Sequence, residues 1–195
     1  NASVVNASAL DLAASTVGGN LAVTATTGNL TDSGAVAVGG TTTLTTSAAN
    51  ATIDVGTTAS TGAVSLNTNG ASGSATIVHA NALDLGVSSV GGNLVATATT
   101  GNVTDSSTVT VGGTTNITTL NADDDIDLGS LASTGSVTLT TSGTTGNASV
   151  VNASALDLAA SSVGGNLIAT ATTGNVTDTG IVTVGGTTNI TTTNA

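Results

Sequence analysis

Residues Gly18 to Gly34 read GGNLAVTATTGNLTDSG, and close copies open at Gly91 and Gly164. A glycine pair followed by asparagine has two physical readings. It cradles a phosphate when it leads from a strand into a helix N-terminus, commonly with a lysine nearby. It turns a corner when it leads into another strand. Here it leads into Leu21, Val23 and Ala25, alternating with Ala22 and Thr24, and the chain contains no lysine or arginine. Alternation with period 2 is the signature of a half-buried strand, so the segment is read as a corner.

The rest of the alphabet agrees. Phe, Trp, Tyr, Met, Cys and Pro are absent, and 26 of 195 residues are glycine. A core must then be built from Val, Leu, Ile, Ala and buried Thr, without the aromatics that fill most cores. Branching at Cβ favours the pleated strand over the helix, and the frequency of glycine leaves no stretch able to sustain a helix. Composition alone points to an all-β fold with thin, closely spaced layers.

Acidic residues number eleven against no lysine or arginine, a formal net charge of −11. Nucleic-acid binding rests on cations that neutralise phosphates, so that class is excluded. No apolar run approaches the roughly 20 residues of a spanning helix, which argues against membrane insertion. The first residues lack the pattern of a signal peptide, and the stretch reads as the interior of a longer or processed protein. Without cysteine there are no disulfides and no thiolate metal sites.

The longer period emerges from the same segment. NASVVNASALDLAASTVGGN, Asn1 to Asn20, returns as NASVVNASALDLAASSVGGN, Asn147 to Asn166, with SATIVHANALDLGVSSVGGN, Ser74 to Asn93, midway. The offset is 73 residues each time, which divides one continuous segment, 1–195, into repeats 1–73, 74–146 and a partial 147–195. Strand-like segments open at Gly19, Gly40, Gly62 and Gly92, at spacings of 21, 22 and 30 residues. Three unequal turns of one coil per repeat, about eight in all, account for these numbers. The fold expected is therefore a parallel β-helix, or β-solenoid, with Leu21, Val23 and Ala25 stacked under Thr42, Leu44 and Thr46 and then Val64, Leu66 and Thr68. Thr-Gly, Ser-Gly, Gly-Gly and Asn-Gly pairs are expected to supply positive φ at the corners. An antiparallel sandwich is the rival, but it calls for bulkier inward residues and a linker between units.

VGGNLAVTATTGNLTDSGAVAVGGTTTLTT, from Val17, and ANALDLGVSSVGGNL, from Ala80, resemble the strand-turn repeats of filamentous-haemagglutinin-like proteins, large adhesins exported by two-partner secretion in Gram-negative bacteria. The resemblance covers essentially the whole chain. It implies a right-handed coil, exposure at the bacterial cell surface or outside the cell, and a role as an adhesin shaft or matrix fibre. The secretion-signal domain that opens such proteins is not seen.

Several residues are candidates for chemistry. Asp123, Asp124, Asp125 and Asp127 cluster in NADDDIDLG, where the repeat departs from its copy SAANATIDVG. Carboxylates are hard ligands suited to Ca²⁺, although the spacing matches neither the EF-hand nor the calcium nonapeptide. Asp32 and Asp54, like Asp105 and Asp127, sit at similar offsets in adjacent turns, where paired carboxylates could serve a polysaccharide-processing enzyme. No residue able to stack or clamp a sugar accompanies them. His79, the single histidine, replaces Asn6 and Asn152 of the sister repeats and reads as one member of a polar ladder. Outward Thr41, Thr43 and Thr45 bring ice-binding solenoids to mind, but the set changes from turn to turn. Sequons such as Asn6, Asn29, Asn102 and Asn175 follow from an alphabet rich in Asn and Thr.

From the sequence we therefore expect a non-enzymatic extracellular structural protein with no cofactor, or calcium alone. Its expected partners are further copies stacked head to tail or further turns of a longer shaft, with surface receptors or polysaccharide as adhesion targets.

Overall fold

The computed structural model describes residues 1–194. Among them every element is a strand and every strand pairing is parallel. Two sheets face each other across a single core, and the chain passes from one to the other at each half-turn. One sheet stacks Ala2–Asn6, Leu21–Ala25, Thr42–Ala49 and Val64–Asn69 and ends on Thr188–Asn194. The opposite sheet stacks Leu10–Leu12, Leu30–Asp32, Ile53–Ser60 and Ala75–His79 and ends on Val176–Asp178. The result is a flattened solenoid of about nine turns, roughly 40 Å long at the usual strand spacing.

Register follows the pattern of the side chains. Leu21, Val23 and Ala25 pair with Thr42, Leu44 and Thr46, and Thr42 and Leu44 pair with Val64 and Leu66. All of these are buried, while the intervening Ala22, Thr43 and Ser65 face outward. Shifting a strand by one residue would turn its whole apolar set to solvent, so burial fixes the register. Thr42 and Ser60 meet inside the core through their hydroxyls, and Thr115 donates to Ser133 in the equivalent place at 2.9 Å. Each buried hydroxyl thus finds a partner.

The repeat itself is laid out differently from the expectation. Successive turns advance by 19, 21 and 22 residues (Ala2 to Leu21, Leu21 to Thr42, Thr42 to Val64). The 30-residue stretch from Gly62 to Gly92 is then not one long turn but a turn and a half. Val64–Asn69 lies on the first sheet, Ala75–His79 on the second, and Leu83–Leu85 with Ser88–Val90 returns to the first. The reason lies in LDLGVSSV, whose Leu83, Leu85, Ser88 and Val90 are all buried and so form a complete side of the coil. Each 73-residue repeat therefore contains seven half-turns, three and a half turns rather than three. Because seven is odd, equivalent segments alternate between sheets: Ala2–Asn6 and Ala148–Asn152 share one, and Ala75–His79 is on the other.

Glycine works at the corners by two mechanisms, one of which differs from the expectation. Positive φ falls at Gly28 (89°) and its copies Gly101 and Gly174, and at Gly70 and Gly143. The Gly-Gly pairs do not carry it. A Cβ on Gly40 would instead strike the side chain of Asn20 in the turn below. At Gly39, Gly91, Gly112 and Gly185 the main-chain carbonyl of a glycine in the turn below leaves no room for a side chain.

Candidate functional site

The Gly-Gly-Asn corner is the most repeated polar feature, and the structure shows what its asparagine does. Thr41 donates its main-chain N–H to Asn20 Oδ1 at 3.1 Å, and the N–H of Asn20 in turn donates to Asn1 Oδ1 at 2.8 Å. Thr114 donates likewise to Asn93 Oδ1 at 2.9 Å, and Thr187 to Asn166 Oδ1 at 2.8 Å. The corner N–H groups are thus satisfied vertically, from one turn to the next, and offer no free cradle to an anion.

The acidic corner belongs to the same device. Asp125 Oδ1 accepts the N–H of Asn147 at 2.7 Å, while the N–H of Asp125 donates to Asn102 Oδ1 at 2.9 Å. Asn166 then donates to Asn147 Oδ1 at 2.9 Å. Asn102, Asp125, Asn147 and Asn166 form one continuous polar spine that ends on Thr187. Asp123, at φ 66°, accepts the N–H groups of Thr144 and Thr145 in the turn above, at 3.0 and 2.9 Å. Asp124 turns the other way and accepts the N–H of Gly101 below at 2.5 Å, together with Asn121 Nδ2 at 3.0 Å. Asp127 is exposed on the strand Ile126–Ser133. The four carboxylates proposed for calcium therefore diverge. Among the described residues no group of three or more Asp, Glu, His or Cys side chains is placed to hold a metal.

The paired carboxylates serve backbone as well. Asp32 accepts the N–H groups of Gly56 and Thr57 at 2.7 and 2.8 Å and the Thr57 hydroxyl at 2.8 Å. Asp105 does the same for Gly129 and Ser130 at 2.8 and 2.9 Å. Both strands lose their ladder to the preceding turn at this point, between the pairs Asp54–Thr31 and Thr58–Val36 in one and Asp127–Thr104 and Leu131–Val109 in the other, and the carboxylate of that turn supplies the missing acceptors. Burial pushes the Asp105 carboxyl above its ordinary value, the N–H groups of Ser130 and Gly129 oppose the shift, and the charges of Asp127 and Asp84 add to it. Asp123, fully exposed, is held below its ordinary value chiefly by the N–H of Thr145, with the Thr145 hydroxyl and Thr144 N–H assisting.

His79 is 1% exposed and faces the core. Its Nε2 accepts the N–H of Ser60 at 2.7 Å, and its Nδ1 lies 3.2 Å from the carbonyl of Asn81. This is the neutral imidazole with its proton on Nδ1. Asp84, close in sequence, is separated from it onto the opposite sheet. In the next repeat Asn152 Oδ1 accepts the N–H of Ser133 at 2.8 Å, and its Nδ2 donates to the carbonyl of Ala155 at 2.8 Å. The imidazole reproduces the acceptor and donor of the amide. Sequence reading placed His79 in a polar ladder but not in the core, although it follows Ala75 and Ile77 in the inward-facing alternation of its strand.

The Asn29 and Asn102 sequon side chains are engaged too, holding the N–H groups of Thr52 and Asp125. Thr43 stands between Ala22 and Ser65, so the outward threonines form no uniform face. Shallow grooves of about 270 Å³ (along Ala37, Gly56, Ala59 and Ala80) and about 150 Å³ (along Thr108, Gly129, Ala132 and Ala153) recur at the repeat offset on opposite sheets. Neither contains a charged residue. A larger opening of about 500 Å³ lies at the last turn, between Leu167, Val176, Val184 and Ile190.

The model of one sequence family, described as repeats of unknown function, matches residues 1–67, 72–140 and 145–195. No curated protein and no solved structure matches.

Proposed function

The chain belongs to the family of repeats of unknown function (DUF5649), and on that premise we propose that it is a non-enzymatic structural element, the stiff shaft of an extracellular adhesin or matrix filament at the bacterial surface. One observation carries the reading: each parallel sheet continues strand upon strand from the first turn to the last, and the corners are tied vertically by asparagine and aspartate. Strands paired on both sides have no free edge along the rod and resist local opening. Such an object supplies length and rigidity, which is what a shaft requires. The likeness of its corners to filamentous-haemagglutinin-like repeats supports the extracellular placement and a right-handed coil.

A shaft of this kind grows by adding turns, along one longer polypeptide or by head-to-tail stacking of copies, since a heterologous contact between the two different ends of a straight rod does not close. Receptors or polysaccharide would be held by whatever the shaft carries. Electron microscopy of purified material, with immunogold labelling of intact cells, tests both parts. Rods of constant width and label on unbroken cells are expected. Compact particles would overturn the shaft, and label reaching the protein only after lysis would overturn its location.

A further inference from the structure

The single histidine sits where its chemistry differs most from that of its counterparts. Asn152 and His79 occupy equivalent inward positions, and each accepts a buried main-chain N–H from the strand one turn below, Ser133 and Ser60 respectively. An amide keeps that acceptor at every pH. An imidazole loses it on protonation, because both ring nitrogens then carry hydrogen. The Ser60 N–H would face a second N–H inside the core, and the added charge would lie in a site with almost no access to water. We propose that His79 makes the step between Ile53–Ser60 and Ala75–His79 an acid-sensitive joint, one turn of the shaft that loosens on mild acidification while its asparagine counterpart stays closed.

The surroundings leave the imidazole without a compensating charge. Ile53–Ser60 carries Asp54, which is exposed on the outer face. Leu94–Ala98, paired on the other side, carries no titratable group. The following strand, Leu83–Leu85, carries Asp84 on the opposite sheet. Burial holds the imidazole below its ordinary value of 6.5, and the only opposing influence is the Asn81 carbonyl. A base held low in the folded state contributes full stability above the unfolded value, and that contribution is lost as pH falls below it. The window therefore opens just under 6.5, above the range in which ordinary carboxylates titrate.

Hydrogen exchange of two amides tests the proposal with an internal control. Ser60 and Ser133 lie in identical local sequence, Ala-Ser-Thr, so their unprotected exchange rates are the same at any pH. Between about pH 7.5 and about pH 5 the protection of Ser60 is expected to fall relative to Ser133 by roughly tenfold for each unit by which the imidazole is displaced. In His79→Asn the ratio should stay constant, with the fold preserved because asparagine is the residue at the sister positions. A constant ratio in the native chain overturns the joint. So does a ratio that changes equally in His79→Asn. An NMR titration of the one imidazole, which needs no variant, should show a midpoint below that of free histidine, and a midpoint at or above it would also overturn the proposal.

Discussion

Asp125 Oδ1 accepts the main-chain N–H of Asn147 at 2.7 Å and so continues the line of amide oxygens that rises from Asn102. A carboxylate here does the work of an asparagine, which ties the acidic corner to the scaffold. Asp125→Asn should change stability by only a few tenths of a kcal/mol, whereas Asp125→Ala, which leaves a corner N–H without its partner, should cost about 1 kcal/mol. Denaturant melts of the two variants against the native chain measure the difference.

Calcium would have to compete for carboxylates that already hold N–H groups at Asp123, Asp124 and Asp125. Chelator is expected to leave Tm unchanged. A rise of several degrees on adding calcium would assign the corner to a metal after all.

The half-turn arithmetic has a covalent check, made easy by the absence of native cysteine. Asn67 is the ladder neighbour of Ser89; a 30-residue turn would have placed it beside Thr97. Neighbouring parallel strands stand about 4.8 Å apart, within disulfide reach. Asn67→Cys with Ser89→Cys should therefore oxidise to an intramolecular disulfide, and Asn67→Cys with Thr97→Cys should not, as read by intact mass.

At the corner, Gly40→Ala should destabilise by about 1–3 kcal/mol, since the new methyl strikes the side chain of Asn20 in a tightly stacked region. Adding Asn20→Ala should recover part of the loss but not all, because the backbone of Gly19 also lies within about van der Waals contact. A double-mutant cycle in urea reads the coupling.

Asp105 and Asp123 should titrate in opposite senses about the ordinary value of 3.8, Asp105 above it and Asp123 below. The signs for stability follow. Ionised Asp123 stabilises the fold at neutral pH, a contribution lost as pH falls below 3.8. For Asp105 the protonated form is favoured on folding, so its contribution improves as pH falls through its raised value. Carboxyl chemical shifts followed through the acid range check both midpoints.

Much of the fold is legible in the sequence. Period-2 alternation in LAVTA and TTLTT gave the inward and outward sets, and the stacking of Leu21, Thr42 and Val64 follows from it. The odd half-turn was not legible, because LDLGVSSV looks like a tail of the preceding turn until its four inward residues are seen to fill one side of the core. The glycine pairs read as corners in the sequence, but crowding rather than positive φ is what requires them. Crowding from the turn below leaves no mark in the local sequence. For the same cause the direction of Asp105, Asp123 and Asp125 is hidden: their main-chain partners lie 21 to 25 residues away, in a neighbouring turn, and nothing adjacent in the chain announces them.

A repeat of three and a half turns gives the solenoid no front and no back. Each duplication of the unit carries the same sequence round to the other side, about 17 Å further along at the usual strand spacing. A feature shared by all copies is thereby shown in both directions, whereas an exposed change confined to one copy, such as Val87 where the sister repeats have Ala14 and Ala160, marks one side at one height. Lengthening by duplication and labelling by single substitution are in this way independent of each other.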